Sequence, residues 1–199
     1  MKNFYNALKM FLWLTVLTGV IYPLFITFIA QLTMSKQANG SFLVEEGKII
    51  GTPLIAQKFM SERYFWPRPS AIDYRPLPSG GSNLGPTSSI LKQVVEERRQ
   101  ILSKAHPEQA DSIPSELLFA SASGLDPHIS PAAAYFQVDR VIKARNLGEQ
   151  KDRVIQLISE MTEQRFLYIF GRPCVNVFLL NRSLDDMEKM PDEPVTGHL

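Results

Sequence analysis

From Met10 to Ala30 the chain reads MFLWLTVLTGVIYPLFITFIA, a run with no charged residue between Lys9 and Gln31. At about 1.5 Å of rise per residue, a helix of this length covers roughly 30 Å, the hydrocarbon thickness of a bilayer. A buried core helix keeps a polar stripe, whereas the only hydroxyls here belong to Thr15, Thr18, Tyr22 and Thr27. The run is therefore predicted to span a membrane. Gly19 and Pro23 interrupt it four residues apart. In a membrane helix such residues mark either close contact with a second helix, which makes Gly19 a candidate interface residue, or a kink facing lipid.

No small-x-small cleavage site follows Ala30, so the anchor is read as retained. Lys2, Lys9 and the terminal amine precede the span, and Lys36 and Lys48 follow it. By the positive-inside rule, residues 1–9 are predicted in the cytosol, with a span over 10–31, a linker over 32–40 and one domain over 41–187 outside. A polar, flexible tail is expected over 188–199. The length beyond the anchor suits a single domain with a proper core. A formal net charge of +1, without a run of Lys and Arg, lacks the footprint of a nucleic-acid binder. The single Cys174 excludes an internal disulfide and reads most simply as a small buried hydrophobe.

Past the Asn39-Gly40 turn signal, Phe42 to Val44 and Lys48 to Ile50 read as a hairpin around Glu46-Gly47, with Leu54 to Ala56 as a third extended piece. Tyr64-Phe65-Trp66-Pro67-Arg68-Pro69 joins three aromatics to two prolines and predicts a rigid, non-helical corner with one ring facing a partner or the membrane surface. The loop PLPSGGSNLGP over 76–86 lacks the Lys-Ser/Thr pair of a phosphate loop. Thr87 or Ser88 is expected to cap a helix carrying Leu91, Val94, Val95 and Leu102, and Pro114 to open a shorter one.

The densest chemistry lies in ASASGLDPHISP, residues 120–131. A hydrolase reading makes Ser121 or Ser123 the nucleophile, His128 the base and Asp126 its orienter. Yet triads are assembled from separate elements, and no G-x-S-x-G elbow is present. As a metal site, Asp126 and His128 supply two ligands at most, and no ligand spacing leads to His106 or His198, so no metal is expected. The competing structural reading is a turn around Gly124 and Asp126-Pro127 that feeds a helix capped by Ser130, with Pro131 in its first position. That helix runs to Leu147, a second carries Val154, Leu157, Ile158 and Met161, and Cys174 to Leu180 reads as a strand apolar on both faces. Asn181 is the expected cap of a last short helix. The fold class is a single N-terminal transmembrane helix plus one soluble α+β domain, a small sheet covered by helices.

GVIYPL at 19–24, QANGS at 37–41, RPSA at 68–71, SGGSNL at 79–84, SASGLD at 121–126, KARNL at 143–147 and VNVFLLN at 175–181 occur in an order that resembles the C-subunit family of the bacterial potassium-transporting Kdp ATPase. The resemblance covers nearly the whole chain. It implies a non-catalytic accessory subunit in the bacterial inner membrane, working with a channel-like A subunit, a P-type B subunit and a small F peptide. It further implies a catalytic-chaperone role, raising the B subunit's affinity for ATP through a glutamine for which Gln137 and Gln150 are the candidates. ATP is cytosolic, whereas the charge distribution places the domain outside. Arg68, Ser70, Asn83, Asp126 and His128, all on Gly/Pro-stiffened loops, are the expected surface for the other subunits. A membrane-anchored hydrolase using the Ser121 to His128 loop is the alternative.

Overall fold

The structure is a computed structural model and describes residues 1–189. It separates into two compact units, Met1–Thr52 and a second beginning at Pro53. The domain expected from residue 41 therefore begins later, because the hairpin at its start clusters with the N-terminal unit.

In the first unit, α1 (Lys2–Val16), a π-helical turn (Leu17–Ile21) and α2 (Tyr22–Thr33) form one helical segment, long and apolar enough to cross a membrane, with no residue buried. It begins well before the predicted Met10, since nothing in KNFYNALK breaks a helix. Pro23 offers no N–H to the carbonyl of Gly19, so the ladder loosens there, and the Tyr22 N–H donates five residues back to Leu17 O. Thr15, Thr18 and Thr33 donate their hydroxyls to the carbonyls of Phe11, Leu14 and Ile29 (2.8, 2.7 and 2.9 Å), which removes free donors from the apolar surface. A short helix, α3 (Ser35–Ala38), follows. Strands β1 (Leu43–Glu45) and β2 (Lys48–Gly51) then pair antiparallel as predicted. Glu46 (φ 50°) and Gly47 (φ 77°) both turn left-handed, the backbone a tight hairpin connection needs. Leu54 to Ala56 form no strand; Ala56 N–H instead donates to Leu125 O at 2.9 Å.

The second unit is built around α5 (Pro131–Arg145), which is buried on most of its circumference. Its start matches the sequence signal: Ser130 caps it through the Ala133 N–H, and Pro131 occupies the first turn. Its end is set by Asn146 in the left-handed region (φ 58°). Before it, α4 (Ser89–Ala105) is capped by Ser88 and buries only Leu102, and the expected helix after Pro114 is a single 3-10 turn. After it comes α6 (Lys151–Glu160), which buries Val154, Leu157 and Ile158. The sheet is antiparallel: β5 (Cys174–Asn176) lies between β3 (His128–Ile129) and β4 (Thr162–Glu163).

The strand predicted over 174–180 stops at Asn176, and α7 (Val177–Lys189) begins immediately. A continuous apolar run has no period to separate strand from helix. What separates them is Asn176, whose Oδ1 accepts the Leu179 N–H at 3.2 Å as an N-cap does. Asn181 is consequently no cap but an interior residue of α7. Glu188 also belongs to the fold and not to a loose tail, since the buried Arg145 donates to it at 2.6 Å and to Asp185 at 2.8 Å. The rest of the expected tail, residues 190–199, lies outside the described residues.

Tyr64 to Trp66 form the extended corner the prolines predict, with Tyr64 and Trp66 half-buried. Phe65 is fully buried; the Arg140 guanidinium lies 3.9 Å from the Trp66 ring centroid and that of Arg145 lies 4.8 Å from Tyr64's. Arginines from α5 thus cover the rings that extended backbone turns away from the core.

Candidate functional site

Three loops that carry the motifs come together on one side of the α5 start. Arg68 Nη1 donates to Asp126 Oδ2 at 2.8 Å, and Ser121 N–H donates to Pro69 O at 3.0 Å. Gly80 N–H donates to Ser123 O at 3.1 Å. A Cβ on Gly81 would stand 2.8 Å from Ala122 O, so the backbones of SGGSNL and SASGLD meet without room for a side chain. Gly124 (φ 71°) is more constrained still, because a Cβ there would lie 2.5 Å from Ile72 Cγ1 and 2.9 Å from Gly80 O. Ser70 Oγ accepts the N–H groups of Ile72 and Tyr74 at 3.2 and 3.0 Å, and Tyr74 OH donates to Arg68 O at 2.9 Å. Burial of that phenol pushes its pKa up to about 12.

The structure thus joins Arg68, Ser70 and Asp126 in one bonded block. His128 adjoins it, with its N–H on Asp126 Oδ1 (3.1 Å) and its Nδ1 3.8 Å from the same oxygen. Asn83 stands exposed and left-handed (φ 53°) on the SGGSNL loop, two residues after Gly81. Arg68, Glu116, Asp126, His128, Arg172 and Cys174 line an open cleft of about 440 Å³. Burial, with the Glu163 and Asp126 carboxylates adding to it, raises the Cys174 thiol above its ordinary value, so it is protonated at neutral pH.

The hydrolase constellation is not assembled. Ser121 is buried with its N–H on Pro69, and Ser123 Oγ accepts from Leu125 N–H at 3.1 Å. Among the described residues neither hydroxyl is hydrogen-bonded to His128, so no base reaches a nucleophile.

Gln137 is completely buried. Its Oε1 accepts from Trp66 N–H (2.7 Å) and Arg140 Nη2 (2.8 Å), and its Nε2 donates to Trp66 O (3.1 Å) and Ala133 O (3.2 Å). No amide hydrogen or oxygen is left for a nucleotide, and the side chain works as an internal brace. Gln150, the second candidate, follows α5 in the 3-10 turn Gly148–Gln150.

One further feature carries no local signal in the sequence. Between β4 and β5, Phe166, Leu167, Tyr168, Ile169 and Phe170 are all exposed, from 62% to 89%. The loop is braced on itself: Phe166 N–H donates to Phe170 O and Phe170 N–H to Phe166 O, both at 2.9 Å, while Leu167 and Tyr168 are left-handed (φ 51° and 62°). Arg165 and Arg172 flank it, also exposed. Apolar composition alone reads as core, so only the tertiary structure reveals that this run faces outward.

The family model described as K+-transporting ATPase, c chain, matches residues 4–186. The chain belongs to the KdpC family. The Potassium-transporting ATPase KdpC subunit of Sorangium cellulosum is 48% identical over 182 residues, covering 90% of this chain and 95% of that protein. The protein of the same name from Leptospira interrogans is 46% identical over 180 residues, with 90% and 91% covered. The one from Herpetosiphon aurantiacus is 45% identical over 194 residues, with 96% and 100% covered.

The strings that carry the KdpC resemblance fall where this fold is specified. RPSA, SGGSNL and SASGLD are the three loops of the bonded block. KARNL ends α5 with left-handed Asn146 and with Arg145, which donates from Nε to Arg63 O at 2.6 Å and from Nη1 and Nη2 to Glu188 and Asp185 of α7. VNVFLLN contributes Asn176, the α7 cap, and Asn181, whose Nδ2 donates to Phe65 O at 3.0 Å.

Proposed function

We propose that the chain is a non-catalytic accessory subunit of an ATP-driven potassium-uptake complex in the bacterial inner membrane. It is anchored by the Lys2–Thr33 segment, N-terminus in the cytosol and domain outside, and it helps hold the channel-like A subunit, the P-type B subunit and the small F peptide in one assembly. One observation carries this reading: the braced Phe166–Phe170 loop exposes five adjacent large apolar side chains. A contiguous apolar patch on a fixed backbone loses little conformational entropy on docking, which suits a constitutive interface. The partner surface offers apolar pockets rimmed by carboxylates, because Arg165 and Arg172 stand on either side of the loop.

Gly19 supports a second contact inside the membrane, since nothing lies within 4 Å of the place a Cβ would take. The block of Arg68, Ser70, Asp126 and His128, with Asn83 at its border, forms a rigid polar surface for the same assembly. Any effect on the B subunit's ATP affinity passes through subunit contacts rather than through Gln137.

The experiment is co-purification of the complex carrying Phe166→Ser, Tyr168→Ser and Phe170→Ser together. The expected result is loss of the A and B subunits from the purified fraction, with the unfolding temperature of the isolated chain unchanged. Wild-type yield of the complete complex overturns the assignment of this loop.

A further inference from the structure

Strand pairing brings together three metal-binding side chains that are far apart in sequence. Glu163 on β4 lies directly opposite Cys174 on β5, and His128 on β3 lies opposite Asn176, two residues further along β5. Residues two apart on a strand share a face, so His128, Cys174 and Glu163 all project from the same side of the sheet. One ligand atom from each lies within 4.8 Å of the other two. No ligand spacing announces the set, because each donor comes from a different strand.

From this we infer that His128, Glu163 and Cys174 form a zinc(II) site at the mouth of the cleft. The donors decide the metal. An imidazole nitrogen, a thiolate and a single carboxylate are too soft and too few for magnesium or calcium and match the mixed N/S/O sets that hold zinc in tetrahedral geometry. A carboxylate stands near His128 as well: Asp126 Oδ1 is 3.8 Å from Nδ1, close enough to become an outer-shell partner after a small shift. Asp126 is itself fixed by Arg68 at 2.8 Å. His128 and Cys174 both line the open cleft, so water from it completes the fourth position.

The charges balance as well. Binding replaces the thiol proton, which passes to solvent, with a Zn–S bond. The thiolate and the Glu163 carboxylate then neutralise the dication in a half-buried place. The consequence is mechanical. β3 and β4 are two residues long each, too short to be stable on backbone bonds alone, and the ion clips both to β5. Glu163 and Cys174 also bound the segment that carries Phe166–Phe170, so the clip fixes the base of that loop.

The test uses the full chain in detergent micelles, stripped with a chelator and titrated with cobalt(II). One equivalent is expected to produce a sulfur-to-cobalt charge-transfer band with the visible bands of tetrahedral cobalt, and zinc should displace it. Cys174→Ser should abolish the charge-transfer band, while His128→Ala and Glu163→Gln should each weaken cobalt binding by roughly tenfold or more. Zinc should raise the unfolding temperature of the wild-type chain and leave that of Cys174→Ser unchanged. Absence of a charge-transfer band in the wild-type chain overturns the site even if a variant fails to fold. So does a band that survives His128→Ala and Glu163→Gln at full affinity, since it then reports an isolated thiol.

Discussion

Asn181 holds the backbone of Phe65 from both sides: its Oδ1 accepts the Phe65 N–H at 2.8 Å, and its Nδ2 donates to the Phe65 carbonyl at 3.0 Å. Gln137 makes the same pair of bonds to Trp66, so two side-chain amides stand in for the neighbouring strands that the corner lacks. Replacing Asn181 with Leu leaves a buried N–H and a buried C=O unpaired. At about 1–3 kcal/mol for each group, the loss is expected to be on the order of 2–6 kcal/mol, read as a lowered unfolding temperature of the full chain in micelles. Gln137→Ala should behave alike, with the same loss whether or not ATP is added.

His106 is 5% exposed, and its Nε2 accepts from Arg140 Nε at 3.3 Å, which requires the neutral imidazole. Burial first, and the Arg140 charge second, lower its pKa to about 4. The unfolded chain binds this proton near pH 6.5 and the folded chain only near 4, so the stabilisation is complete above pH 6.5 and is lost as pH falls to 4. The loss is expected to be on the order of 3 kcal/mol, at about 1.4 kcal/mol per pKa unit. His106→Gln keeps an acceptor but no titrating group; in parallel unfolding curves between pH 7 and 4 its stability should decline less than that of the wild-type chain.

Gly124 combines a left-handed φ of 71° with backbone contact to the SGGSNL loop. Gly124→Ala should therefore cost about 1–3 kcal/mol, more than an alanine in an open turn. Gly85→Ala, with open space around its Cβ, is the control and should be neutral within about 0.5 kcal/mol. Equal effects in chemical denaturation would mean the loops do not pack as described.

Gly19→Leu fills the open flank beside the π-turn. It should weaken recovery of the complex while leaving insertion of the chain into the membrane intact, both read on the same membrane fraction. Undiminished recovery means that this flank meets lipid.

With the proposed topology, for which Lys2 and Lys9 before the span argue under the positive-inside rule, protease added to spheroplasts should digest the region beyond Gln31. Cleavage confined to inverted vesicles would reverse the topology and put the domain on the side where ATP is.

Features decided within a few residues were legible in the sequence. The span needed only length and apolarity, the Glu46-Gly47 turn only its residue types, and the starts of α4 and α5 only Ser88 and Ser130 before a helical period. Signals of that kind act through neighbours in the chain, so a linear reading finds them. Tertiary structure alone decided where β5 ends, because a continuous apolar run has no period and the Asn176 cap looks like one more strand residue. It alone turned the corner aromatics under Arg140 and Arg145, and turned Phe166 to Phe170 outward. The amide clamps join positions 71 and 116 residues apart, and the His128, Glu163 and Cys174 cluster exists only through strand register. Local preference has no term for such pairings: a side chain's partner is set by where the whole chain packs, and identical residues in another fold would meet other groups.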